Sequence, residues 1–235
     1  MTSKLVFWTA FNSYQSSKCL RGMPEGSVHP VQTEDWTAYR ADLWRKLTLN
    51  SLFNQTHEDF LYVVLLDPEL RHLTDRVLPK HPDKRGGRVL YCYRDEPVLR
   101  MLREYDEIVF ALIDNDDMYA RDAGALMMDC PARWMYFKHG YAFDYMTRKV
   151  WEYDTIGSGP FFAHRTDPKT IRLFDRSKRH PVHKSVIDAP GLIELPPGRF
   201  CVTLHEANTS STSDMRYVLR DKPVKYAVLK REFGK

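Results

Sequence analysis

Glu107-Ile-Val-Phe-Ala-Leu-Ile113, followed at once by Asp114-Asn-Asp-Asp117, is the stretch whose reading decides the fold. An apolar segment of this length, ended by acids, reads as a buried β-strand with its carboxylates at the C-terminal end. In open α/β sheets that end is where ligands bind. Three carboxylates within four residues also repel one another. A helix cap needs only one acid, whereas a divalent cation relieves the repulsion of several.

Working outward, the same rhythm recurs. Leu5 to Ala10 reads as a first strand. Thr33 followed by Glu34 and Asp35 is a hydroxyl cap with acids in the first helical turn, where they complement the helix dipole. Behind it Trp36, Tyr39, Leu43 and Leu47 recur at helical spacing. Phe60 to Leu66 is a continuous apolar run, suited to a strand covered on both faces, and it ends at the turn signal Asp67-Pro68. Val89 to Tyr93 is a further strand, and Pro97 opens a helix to about Glu104. Asp117 could cap a helix from about Tyr119 through Met128. This βαβ alternation predicts an α/β protein with a mixed, mostly parallel central sheet flanked by helices.

Beyond Pro131 the texture becomes aromatic. Trp134 to Phe137, Tyr141 to Met146, Ile156 to Ala163 and Phe200 to Leu204 read as strands, and Pro168 to Asp175 as a helix. No repeat or linker interrupts the chain. The expectation is one domain over residues 1–235, with a nucleotide- and metal-binding half (1–130) and an acceptor-facing half (131–235).

Bulk properties exclude several classes. A net charge of +4 in 235 residues is too weak a bias to argue for nucleic acid, though it suits anionic small ligands. The longest apolar run, Phe60 to Leu66, is far short of a membrane span. Lys4 leads into Leu5-Val-Phe-Trp8 without a small-residue cleavage site, which reads as a strand rather than a signal peptide. Cys19, Cys92, Cys130 and Cys201 form no Cys-x-x-Cys pair, so a reducing, cytoplasmic setting is expected. The cluster Arg176, Lys178, Arg179, His180, His183 and Lys184 reads as solvated surface or as docking to an anionic glycan or a membrane surface.

A second polar constellation follows Val202-Thr-Leu204. His205 stands at a strand end beside Glu206, Asn208 and a run of hydroxyls from Thr209 to Ser213. Neutral imidazole is a ligand for Mn²⁺-class ions, so His205 can add a third ligand to the acidic run. Mn²⁺ or Mg²⁺ is held by one or two carboxylates plus the phosphates of a substrate, and as a Lewis acid it stabilises a leaving diphosphate. A carboxylate can also serve as a general base; Asp188 comes first, with Asp144 and Glu206 open. Trp134, Tyr136, Tyr141 and Trp151 are core aromatics or stacking surfaces for an acceptor sugar.

Three segments carry a resemblance. Trp36-Thr-Ala-Tyr-Arg40 through Thr48-Leu-Asn-Ser-Leu52, Gln55-Thr56, Asp59-Phe60 and Asp67-Pro68 form the first; Ile113-Asp-Asn-Asp-Asp-Met118 with Ala120-Arg-Asp122 the second; His205-Glu-Ala-Asn208 the third. Together they resemble the rhamnosyltransferase family of bacterial GT-A-type glycosyltransferases. The resemblance implies a GT-A fold, a nucleotide-sugar donor, a carbohydrate acceptor and a divalent cation. It implies that Asp114 sits near the nucleotide ribose with Asn115 beside it, and that Asp116 or Asp117 ligates the cation with His205. Thr9 and Asn12 would then lie by the base, with Arg40 facing the same pocket. Ala10, Asn50 and Leu112 depart from the family pattern, which has Arg, Pro and Arg there, so the donor sugar is left open.

Two other classes use similar residues. A haloacid dehalogenase-type phosphatase carries Asp-x-Asp at the end of its first strand, whereas here the run ends about the fourth. A sugar- or cation-binding module would explain the acids and aromatics without the nucleotide-type half.

Overall fold

The computed structural model describes residues 2–12, 33–80, 82, 88–155, 161–171, 189–205 and 219–234. The strands of the first half are β1 (Ser3–Ala10), β2 (Phe60–Leu65), β3 (Val89–Cys92), β4 (Glu107–Leu112) and β5 (Met118–Tyr119). Those of the second half are β6 (Trp134–Tyr136), β7 (His139–Asp144), β8 (Val150–Asp154), β9 (Phe162–Thr166), β10 (Leu192–Glu194), β11 (Phe200–Leu204) and β12 (Leu219–Val224). The helices are α1 (Glu34–Trp44), α2 (Asn50–Phe53), α3 (Arg71–Val77), α4 (Asp95–Leu102), α5 (Ala123–Asp129) and α6 (Ala227–Phe233), with a π-helical turn at Arg45–Leu49 between α1 and α2.

The central sheet has the order β10-β6-β9-β4-β1-β2-β3. The β10–β6, β4–β1, β1–β2 and β2–β3 pairs are parallel, while β9 runs antiparallel to both of its neighbours. The sheet is therefore mostly parallel, as expected, and strands from both halves of the chain share it. Side chains alternate across it and feed two cores. Leu5, Phe7, Tyr62, Val64, Val109 and Ala111 meet Ala41 and Trp44 of α1 on one face. Val6, Val63, Leu65, Ile108 and Phe110 meet Val98, Leu99 and Leu102 of α4 on the other. Each fully buried Val, Leu, Ile or Phe side chain among them contributes about 1.5–3 kcal/mol before conformational entropy is counted.

A second sheet, β12-β8-β7-β11-β5, was not foreseen. Its core joins Met118, Phe143 and Val150 to Leu229 and Phe233 of α6, and also to Leu43 and Leu47. One long helical segment thus packs on both sheets: Ala41 and Trp44 toward the first, Leu43 and Leu47 toward the second. The expected Thr33 cap starts it, its hydroxyl accepting from the Trp36 amide.

Several expected boundaries move. The helix at Pro97 begins at Asp95, leaving Pro97 in the first turn, where its missing N–H costs no helical bond. No helix starts at Tyr119. Met118 and Tyr119 instead pair antiparallel with Cys201 and Phe200, and α5 starts at Ala123. After Pro168 the described residues form only a 3₁₀ turn, Pro168–Thr170, capped by Asp167 and ended by the extended backbone of Ile171. The strand expected over 156–163 is β9, shifted to Phe162–Thr166, with 156–160 outside the described residues. Among the described residues no helix is long and apolar enough to cross a membrane.

Candidate functional site

β1, β2, β3 and β4 are mutually parallel, so their C-terminal ends share one edge of the sheet. The chain adds β2 and β3 on one side of β1 and then returns to lay β4 on the other. The strand order thus reverses between β1 and β4, the position at whose carboxyl edge open α/β sheets form a ligand crevice. Asn12 follows β1 at this crevice, and Asp114 to Asp117 follow β4.

The acidic run forms a turn in which the Asp117 amide donates to the Asp114 carbonyl at 3.2 Å. Its four side chains have different fates. Asp114 is exposed, while Asn115, Asp116 and Asp117 are buried. Asn115 Nδ2 donates to the Phe11 carbonyl at 3.0 Å, bridging the crevice to the end of β1. Asp117 Oδ1 accepts from the Thr203 amide at 2.8 Å, tying the turn to β11. Burial, reinforced by the neighbouring Asp116 and Asp114 charges, pushes the Asp117 carboxyl well above its ordinary value.

Asp116 lies at the centre. Its Oδ2 accepts from Arg40 Nη1 at 2.6 Å and lies 2.7 Å from His205 Nε2. Arg40 Nη1 is itself 2.8 Å from His205 Nε2, and Arg40 Nη2 donates to Asn115 Oδ1. Burial would raise the Asp116 carboxyl, but the Arg40 charge and the His205 bond hold it below the usual carboxylate value. Tyr39 meets the His205 ring edge-on at 5.6 Å, and Trp36 lies under the Arg40 guanidinium at 5.6 Å. Residues of α1, of the β4 exit and of the β11 exit therefore converge on one point.

Of the expected donor-site residues, Arg40, Asn115 and Asp116 touch one another, and Asp114 stands at the open rim. Asn12 is fully buried beside them, its Oδ1 accepting from the Asp67 amide at 2.8 Å. Its Nδ2 meets no hydrogen-bond partner among the described residues. Thr9 is fully buried within β1, against the phenol of Tyr62. Of the expected metal ligands, Asp116 and His205 come together, whereas Asp117 turns to the β11 backbone. Asp188, Glu206, Asn208 and the basic cluster from Arg176 to Lys184 lie outside the described residues.

The residues can be tested for a cation. Among the described residues no three His, Cys, Asp or Glu side chains converge as a metal cage. Two donors do converge. Two ligands about 2.1 Å from one ion and at right angles to each other lie about 3 Å apart. The 2.7 Å between Asp116 Oδ2 and His205 Nε2 is close to such an edge. One carboxylate and one imidazole are two donors of the kind a Mn²⁺-class ion takes, and Arg40 Nη1 lies against both at 2.6 and 2.8 Å.

Three contributions were not read from the sequence. The Thr203 amide holds Asp117, Thr48 Oγ1 donates to the Asp114 carbonyl at 3.3 Å, and Tyr39 orients His205. Tyr39 lies on the helical stripe and Thr48 beside it, so their nearness to the site was open to inference from that stripe; a backbone amide carries no sequence signal.

A separate pocket of about 310 Å³ opens at the other end of the second sheet. His139 and Tyr141 of β7 face Asp154 and Glu152 of β8 in register, with Pro197 and Gly198 forming a wall.

No family model matches the chain, and no curated protein matches it. Among solved structures, TarS of S. aureus aligns at 12% identity with a TM-score of 0.36, over 87% of this chain. The chain spans only 37% of TarS. HddC from Yersinia pseudotuberculosis aligns at 10% identity and a TM-score of 0.36, over 86% of this chain and 91% of HddC. Likenesses at these scores carry no weight on function.

Proposed function

We propose that this chain is a nucleotide-sugar-dependent glycosyltransferase of GT-A-like fold, transferring a sugar to a hydroxyl of a carbohydrate acceptor. The observation that carries this reading is the position of the acidic turn. It stands at the carboxyl edge, at the strand-order reversal between β1 and β4, and meets a histidine from a second sheet. That crevice is where nucleotides bind in open α/β sheets.

Asp114, the exposed acid, accepts hydrogen bonds from the ribose hydroxyls. Asn12, with its spare Nδ2 donor, stands at the nucleotide end of the crevice. Asp116 and His205 would hold the divalent cation, which when bound supplies Lewis-acid stabilisation of the departing diphosphate. Asp117 and Asn115 fix the turn that carries Asp114 and Asp116. A phosphatase reading gains nothing here, since the acidic run follows β4 rather than β1.

Incubation with UDP-, GDP- and dTDP-sugars and Mn²⁺ tests the activity. Slow hydrolysis of one donor to free sugar and nucleoside diphosphate, lost in Asp116→Asn, is expected. Cleavage of simple phosphate monoesters with every nucleotide sugar untouched would overturn the proposal.

A further inference from the structure

The contacts among Arg40, Asp116 and His205 cannot all be favourable at once. Arg40 Nη1, Asp116 Oδ2 and His205 Nε2 form a triangle with sides of 2.6, 2.7 and 2.8 Å. If His205 Nε2 carries its proton, it donates to Asp116 and faces Arg40 donor to donor. If Nε2 is bare, it accepts from Arg40 and faces Asp116 lone pair to lone pair. One edge is repulsive in either tautomer. A cation between Asp116 and His205 removes the conflict, because both lone pairs then point at it, but Arg40 Nη1 stands against both donors.

We infer that Arg40 is an internal cation that competes with the divalent metal for Asp116 and His205, so that metal binds tightly only together with the nucleotide. This rests on the nucleotide-sugar reading above. Without nucleotide, removing Arg40 from Asp116 leaves a buried guanidinium without its anion, which is strongly unfavourable. A diphosphate offers that guanidinium a replacement. Arginine pairs with phosphate through parallel N–H bonds, and Arg40 Nε is buried with no partner among the described residues. As the diphosphate takes Arg40, Asp116 and His205 are released to the metal, whose remaining positions the phosphates fill. The coupling is reciprocal: nucleotide raises metal affinity by the factor by which metal raises nucleotide affinity. The helix that presents Arg40 would thereby exclude free Mn²⁺ and Mg²⁺ from an empty site.

The test is titration of Mn²⁺ alone, followed by electron paramagnetic resonance of the unbound ion, on wild type, Arg40→Met and Arg40→Lys. Arg40→Met, which keeps an unbranched apolar stem but no charge, is expected to bind Mn²⁺ at least tenfold tighter than wild type, and His205→Ala in that background to abolish the gain. Arg40→Lys, with a charge but no fork, should fall between. If Arg40→Met fails to fold, wild type decides the matter by itself: its Mn²⁺ affinity must rise at least tenfold on adding whichever of UDP, GDP or dTDP it binds. Equal Mn²⁺ affinity in wild type and Arg40→Met, or no rise with bound nucleotide, would overturn the inference and leave the transferase reading standing. If no nucleotide binds but Arg40→Met still captures Mn²⁺, the transferase reading falls and the competition survives.

Discussion

Among the described residues stand two carboxylate–imidazole pairs of nearly the same length, and they have become different things. Asp116 and His205 stand 2.7 Å apart with side chains 10% and 0% exposed, and an arginine lies against both. Asp154 and His139 stand 2.6 Å apart, about a third exposed, and the second carboxylate beside that imidazole is Glu194 at 3.3 Å. The first pair closes a knot among three elements at a sheet's carboxyl edge. The second lies at the side of an open pocket whose described lining includes Glu152 but no Lys or Arg. A diphosphate would be repelled there. Local chemistry is the same in both; burial and the third partner decide which pair can serve an anionic donor.

Breaking each pair should expose this difference. Asp116→Ala strands a buried guanidinium and is expected to lower stability by about 3–5 kcal/mol, whereas Asp154→Ala should cost about 1 kcal/mol or less. Urea denaturation of both variants checks this, and equal losses would remove the distinction. Next comes the strand that carries His139. A methyl group at Gly140 would meet the Phe200 ring and carbonyl at 2.6 Å, so Gly140→Ala should cost about 1–3 kcal/mol without altering nucleotide binding. His205→Ala should weaken Mn²⁺-dependent nucleoside-diphosphate binding at least tenfold, about 1.4 kcal/mol, and His139→Ala should leave it unchanged. The smallest effect is expected at Thr33. Its cap aligns the helix that presents Arg40, and Thr33→Ala should lower stability by about 1 kcal/mol.

What the sequence revealed follows the same division. The buried parallel strands were legible because runs such as Phe60 to Leu66 are apolar on both faces, and Thr33 was legible because capping is local. The pairing of Asp116 with His205 was legible too, because each follows the end of an apolar strand. The second sheet was not, since β5 is two residues long and its partner lies some 80 residues away. Arg40 was expected to face the donor pocket; that its guanidinium would bind Asp116 and Asn115 could not be read from spacing. It sits four residues from Trp36 and three from Leu43 on a buried stripe, where a charge demands a partner, but the partner is 76 residues along the chain.

Calorimetric titration of UDP, GDP and dTDP, with Mn²⁺ and with a chelator, tests the central claim most directly. One nucleotide should bind with Mn²⁺ and at least tenfold more weakly under chelation, and Asp116→Asn should abolish that difference. Binding of none of the three, in either condition, would contradict a nucleotide-sugar site at the Asp114–Asp117 turn.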